Sequence, residues 1–191
     1  MTPHHPSARR RANSRKTQRG VSLPLIAIVL GVSSVITIGA ILYGPRYFTK
    51  AKVSNEISAL TDLRANVVAY GSKVGLFTTT NAALAALVGQ NMFPPAMVSG
   101  TGATATVTNQ WGGSVGAAVG TITTAGDSLV FTYTGIPGEA CTEIATSLDN
   151  VVSVITVNTT QTKANGQASN PVTVGQSCTS ANNTLVLTLA K

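Results

Sequence analysis

From Val21 to Tyr43 the chain runs for twenty-three residues without a charge, VSLPLIAIVLGVSSVITIGAILY, and the next charged residue is Arg46. At about 1.5 Å per residue a helix of this length spans roughly 34 Å, enough to cross a hydrocarbon core about 30 Å thick. Few soluble domains carry such a run, so this segment is expected to lie in a bilayer for part of the protein's life. Everything else in the chain is placed by it: a basic leader before, a largely uncharged polar domain after.

The formal charge of +7 divides unevenly along the 191 residues. Arg9, Arg10, Arg11, Arg15, Lys16 and Arg19 supply six of the 13 basic residues, all before Gly20. Beyond residue 20, seven basic residues face six acidic ones. The folded part therefore has no basic patch of the kind nucleic-acid binding requires, and no nucleic-acid partner is expected. A cluster of positive charge beside a span stays on the cytoplasmic side, which predicts a single pass with the N-terminus inside; a plain disordered tail is the simpler reading. Thr, Ser, Asn, Gly and Val dominate the remainder, the profile of an exported β-rich domain. Both cysteines, Cys141 and Cys178, fall in that half. In an oxidising compartment they form a disulfide, and otherwise they are two buried thiols.

A secretory signal peptide has a shorter apolar core and a small-residue cut site after it. Here Ser33, Ser34, Gly39 and Ala40 are the only mimic of such a site, and the conspicuous junction is Arg19-Gly20-Val21, ahead of the apolar run. That junction resembles the prepilin leader of type IV pilins, and a 20-residue leader is similar to the longer type IVb kind. The resemblance implies cleavage after Gly20 by a prepilin peptidase and methylation of the new N-terminal Val21. The family's usual Glu at the fifth mature position is here Leu25. A carboxylate there would pair with a neighbouring subunit's terminal amine, and Leu25 removes that pairing.

Pro24 suits a first helical turn, whereas Gly44 and Pro45 are expected to kink or locally melt the helix. Gly31, Ser33, Ser34, Gly39 and Ala40 keep it thin enough for close neighbours, or are ordinary span composition. Beyond Pro45, Val53, Ile57, Leu60, Val67 and Val68 recur at helical spacing. Lys52, Asn55, Glu56, Asp62 and Arg64 fall mostly elsewhere on the helix. One helix is predicted from about Val21 to Tyr70, stopped near Gly71 or Gly75. The expected organisation is a leader 1–20, an apolar helix 21–45, an amphipathic half 46–75 and a head 76–191.

In the head, Thr78 to Asn81 can cap a short helix over Ala82–Val88, and Phe93-Pro94-Pro95 breaks regular structure. Strand-like segments follow at Ala103–Thr108, Ser114–Thr124, Leu129–Thr134, Val151–Asn158 and Thr184–Leu189, with a hairpin turn at Gly126-Asp127. A second short helix runs from Pro137 to about Leu148, with Glu139 and Glu143 suiting its positive end. Thr159–Pro171 reads as a polar loop. An antiparallel sheet on the amphipathic half of the long helix makes an α+β fold.

The runs Asn91-Met92-Phe93-Pro94, Asn109-Gln110-Trp111-Gly112-Gly113-Ser114-Val115 and Pro137-Gly138-Glu139-Ala140-Cys141 resemble the major pilins of type IVb thin and conjugative pili. Trp111 is the only Trp, expected to pack between loop and sheet, and Gly112-Gly113 permits a tight turn. The resemblance implies the type IV pilin fold and assembly through the inner-membrane pilus machinery. Its product is a helical homopolymer, a fimbrium serving adhesion, aggregation or conjugative contact, with the Cys-bounded region 141–178 on the filament surface. Alternatives are a minor pilin, a type II secretion pseudopilin, or an unprocessed monomeric membrane-anchored protein. Sequons at Asn158 and Asn182 arise readily in a Thr- and Asn-rich chain.

Chemistry is poorly provided for. Both histidines, His4 and His5, precede Gly20, so the processed chain has none for a Ser–His or Cys–His pair. Six scattered carboxylates make no metal cluster, and Gly112-Gly113 lacks the Lys and helix of a phosphate loop. Neither an enzyme nor a cofactor is expected.

Overall fold

A computed structural model describes the backbone of residues 23–191 and the side chains of Pro24, Ala27, Ile28 and residues 48–191. Gly20 and Val21, the expected cut and methylation sites, lie outside the described residues, as does the side chain of Leu25. The chain divides into two compact units, Met1–Gly44 and Pro45–Lys191. Helix α1 is Leu23–Val74. The kink expected at Gly44 and Pro45 falls at the border of the units, where side chains are not described.

Within the second unit, α1 buries Val53, Glu56, Leu60, Leu63 and Val67, alternating three and four residues apart on one face. Leu63 thus joins the expected stripe, and Val68, expected on it, is 38% exposed. Glu56 is the correction that matters: read as belonging to the polar side, it is fully buried. The helix closes at Gly75, whose φ of 75° is the left-handed cap conformation, with its N–H donating to Gly71 O at 2.9 Å.

Helix α2 (Leu84–Gly89) follows a reciprocal pair in which Thr78 N–H donates to Asn81 Oδ1 and Asn81 N–H to Thr78 Oγ1. Strands β1 (Val98–Ser99) and β2 (Thr106–Val107) form a small ladder, so only the end of the expected strand Ala103–Thr108 is extended. The main sheet contains β3 (Val115–Thr121), β4 (Ala125–Ile136), β5 (Val154–Val157), β6 (Thr160–Lys163) and β7 (Asn183–Ala190). Its order is β3-β4-β7-β5-β6, antiparallel throughout. Helices α3 (Gly138–Ser147) and α4 (Pro171–Ser177) complete the head.

Alternation sets the core. Ala117, Phe131, Leu187 and Ile155 lie in register across the sheet, and Val115, Tyr133, Leu185 and Val157 form the next row. These residues, Ala117 at the margin, share one hydrophobic cluster with Val53, Leu60, Leu63 and Val67 of α1 and with Ile144 and Leu148 of the α3 segment. Each fully buried Leu, Ile or Phe contributes on the order of 1.5–3 kcal/mol of transfer free energy. Phe93 meets Phe131 edge-on, with ring centroids 5.8 Å apart.

Two segments of the head differ from what their sequence predicts. The β3–β4 turn lies at residues 122–124, ahead of Gly126-Asp127. The Asp127 carboxylate organises it, accepting N–H groups from Ile122, Thr123 and Thr124 at 2.7–2.8 Å. Those donors, Thr124 first, hold the carboxyl well below its ordinary range. The expected loop Thr159–Pro171 contains strand β6. It lacks apolar alternation, and it pairs with β5 through its backbone and through Thr162 Oγ1 donating to Ile155 O. Helix α4 begins where that loop was to end: Asn170 Oδ1 accepts from Val172 and Thr173 N–H, with Pro171 at the first helical position.

Candidate functional site

The three motif runs all lie in the head. Asn109, buried, is the knot of the Trp-Gly-Gly turn: Oδ1 accepts from Trp111 N–H at 3.0 Å and Gly113 N–H at 2.9 Å, while Nδ2 donates to Thr134 O at 2.7 Å. Gly112 has a φ of 80°, and a Cβ on Gly113 would stand 1.7 Å from Thr134 O. Neither position tolerates a side chain without movement of the backbone. Trp111 is half-buried and packs against the core.

Beneath this turn lies Glu56. Its Oε2 accepts Gln110 N–H at 3.1 Å, and its buried Oε1 has no hydrogen-bond partner. Burial raises the carboxyl above its ordinary value, opposed by the Gln110 N–H. Burial likewise pushes the Tyr133 phenol well up, and the Glu56 charge acts in the same direction. The helix and the turn are therefore joined through a carboxylate that the core solvates poorly. Composition and spacing did not reveal this. The readable signal was Asn109 four residues before Gly113, a side chain suited to bonding the backbone just ahead of it.

Cys141, in the first turn of α3, is bonded to Cys178 at the end of α4, with Cα atoms 5.7 Å apart. The enclosed region holds most of α3, then β5, β6 and α4. Lys163, nearly buried, pairs with Asp149 Oδ1 at 3.3 Å and donates to Gln167 O at 2.5 Å. Ser169 N–H donates to the same carboxylate, and this donor first, then Lys163, keeps Asp149 below its ordinary value. Asn158 adopts a φ of 55° and ties α4 to β7. Its amide donates to Ser177 O and Asn183 Oδ1, and its Oδ1 accepts from Thr184 N–H. A side chain so engaged is a poor glycosylation acceptor.

Glu139 and Glu143 are exposed and make no capping bond to α3. With Thr49 and Lys50 they line an open cleft of about 350 Å³. Among the described residues no three of His, Cys, Asp and Glu gather as metal ligands would.

The family model described as PilS N terminal matches residues 50–190, from the amphipathic half of α1 to the end of β7. The chain belongs to the PilS family. A crystal structure of the type IV b pilin from Salmonella typhi is similar over 72% of this chain and 99% of that one, at 22% identity and a TM-score of 0.60. The type IV pilin TcpA from Vibrio cholerae El Tor covers 73% of this chain and 99% of its own, at 14% identity and a TM-score of 0.55. The solution structure of the Salmonella typhi type IVb pilin PilS covers 73% and 96%, at 24% identity and a TM-score of 0.50. A comparison with curated proteins finds no match. The expected type IV pilin fold is thus observed, on a chain of the PilS family.

Proposed function

We propose that this pilin is the structural subunit of a type IVb-like pilus. It inserts in the inner membrane with residues 1–20 cytoplasmic, is cut after Gly20 by a prepilin peptidase, and is methylated on Val21. The pilus assembly machinery then adds it to a helical homopolymer that reaches the cell surface, for adhesion, aggregation or conjugative contact. What carries this reading is the pairing of a PilS-family head, its Cys141–Cys178 region stapled shut, with an uncharged stretch from Val21 to Tyr43 behind a basic leader.

The work of such a subunit is physical. Head-to-tail contacts between copies are heterologous, so they extend an open filament instead of closing a ring. An apolar helix leaving lipid for a bundle of its own kind exchanges one apolar surrounding for another, and packing between subunits decides the balance. Leu25, in place of the usual Glu, favours a second reading: a minor pilin or secretion pseudopilin that primes or tips a fibre. Intact mass and N-terminal sequence of protein sheared from cells test both. A methylated Val21 terminus in an abundant fibre subunit supports the main reading. A chain still beginning at Met1 overturns it, and a trace amount in fibres favours the tip role.

A further inference from the structure

The two edges of the main sheet are treated differently. At the β6 edge, Thr162 O accepts Asn170 N–H at 3.0 Å, and Lys163 is held by Asp149. That edge is sealed by backbone and charge, the usual ways of preventing strand addition. The β3 edge is covered only at its start, where Thr108 bridges Ser114 and Asn109 N–H donates to Gly113 O; beyond Val115 it has neither. From Gly112 to Gly126 there is no charged residue and no proline, and the only bulge comes at the strand's end, between Gly120 and Thr121.

Register decides which groups this edge presents. Thr134 N–H donates to Ser114 O, so Ser114, Gly116 and Ala118 turn their backbone groups toward β4. Ala117 and Val119 turn theirs outward, and among the described residues no hydrogen bond of the fold takes them. Around them the strand is slender: Ala118 is exposed, and Gly116 and Gly120 carry no side chain.

We infer that the β3 edge pairs with the β3 edge of a second copy, antiparallel, about a two-fold axis through Ala118. This register sets Ala117 opposite Val119 of the other copy and Val119 opposite its Ala117. The eight outward N–H and C=O groups of Ala117 and Val119 in the two strands are then used, in four hydrogen bonds. The segment is nearly the same read from either end, Gly-Ala-Ala-Val-Gly, so glycine faces glycine and alanine faces alanine. With no charge in either strand, two copies meet without repulsion. Such a two-fold contact is isologous and cannot by itself extend a polar filament. Resting on the reading above, it joins heads of two fibres lying side by side in opposite directions.

Ala118→Cys tests the axis. Non-hydrogen-bonded partners in an antiparallel pair have Cα atoms about 4.5 Å apart, within disulfide range. In the full chain purified in detergent, oxidised Ala118→Cys should give covalent dimers at least tenfold faster than Thr101→Cys, an exposed control. Equal rates overturn the proposal, as does an adduct formed in cells only with other proteins. Ala118→Lys puts two like charges on the axis at an exposed site and leaves the fold alone. It should yield single fibres of normal length where the unaltered protein yields paired ones; fibres still paired overturn the proposal. If cells make no fibre at all, the functional reading fails, and the detergent cross-link alone decides the pairing.

Discussion

Glu56 shows how much one side chain can cost and still be kept. It occupies a stripe position between Val53 and Leu60 and offers Gln110 one acceptor, while its other oxygen is buried without a partner. Its folded-state pKa is raised, so between the ordinary glutamate value, about 4.3, and the raised one the folded chain holds more protons than the unfolded chain. Stability from this group is therefore fullest below the ordinary value and falls as pH rises through the raised one. Glu56→Gln removes that slope and keeps an acceptor for Gln110. Urea unfolding of the full chain in detergent should show the variant more stable at pH 7 by about 1 kcal/mol, with the difference vanishing near pH 4. An unchanged pH profile would mean that water reaches the carboxylate.

Helix α4 and strand β6 are short elements with few apolar residues, and neither is a strong former on its own. What holds them is cross-linking: Cys178 to Cys141, Lys163 to Asp149, Asn158 to Ser177 and Thr184. In a chain-entropy account, closing a loop of this size contributes about 3–4 kcal/mol. Cys141→Ala with Cys178→Ala should lower the unfolding free energy by about that amount. Limited proteolysis should then cut first between residues 159 and 171, and a double variant as protease-resistant as the parent would show that β6 and α4 hold without the bond.

For the whole molecule the apolar run and the head make separate demands. Val21–Tyr43 must suit lipid and then copies of itself, so it needs an uncharged surface more than a particular shape. Val35→Asp inserts a carboxylate where neither surrounding solvates it, at a cost of several kcal/mol per subunit. Sheared-fibre fractions from cells expressing Val35→Asp should contain no filaments, while the head keeps its disulfide in the membrane fraction. Normal fibres from such cells would refute the proposed filament core.

The α+β class, the long helix and most sheet strands were readable from their residue patterns, because burial of one face imposes a repeat on the chain, whereas the end of the long helix was marked by glycine and the α3 segment by Pro137-Gly138-Glu139 at its start. The Cys141–Cys178 bond was legible as one of two options, and the sheet's pairing decided it by bringing α3 and α4 together. Glu56, Asn109 and β6 were not legible in the same way. Glu56 obeys the helical repeat with a polar residue, and only the turn packed over it explains why. Asn109 acts on backbone groups up to 25 positions away, and β6 is a strand because β5 offers it an edge. Local pattern records which face is buried, whereas partners distant in sequence exist only once the chain has folded.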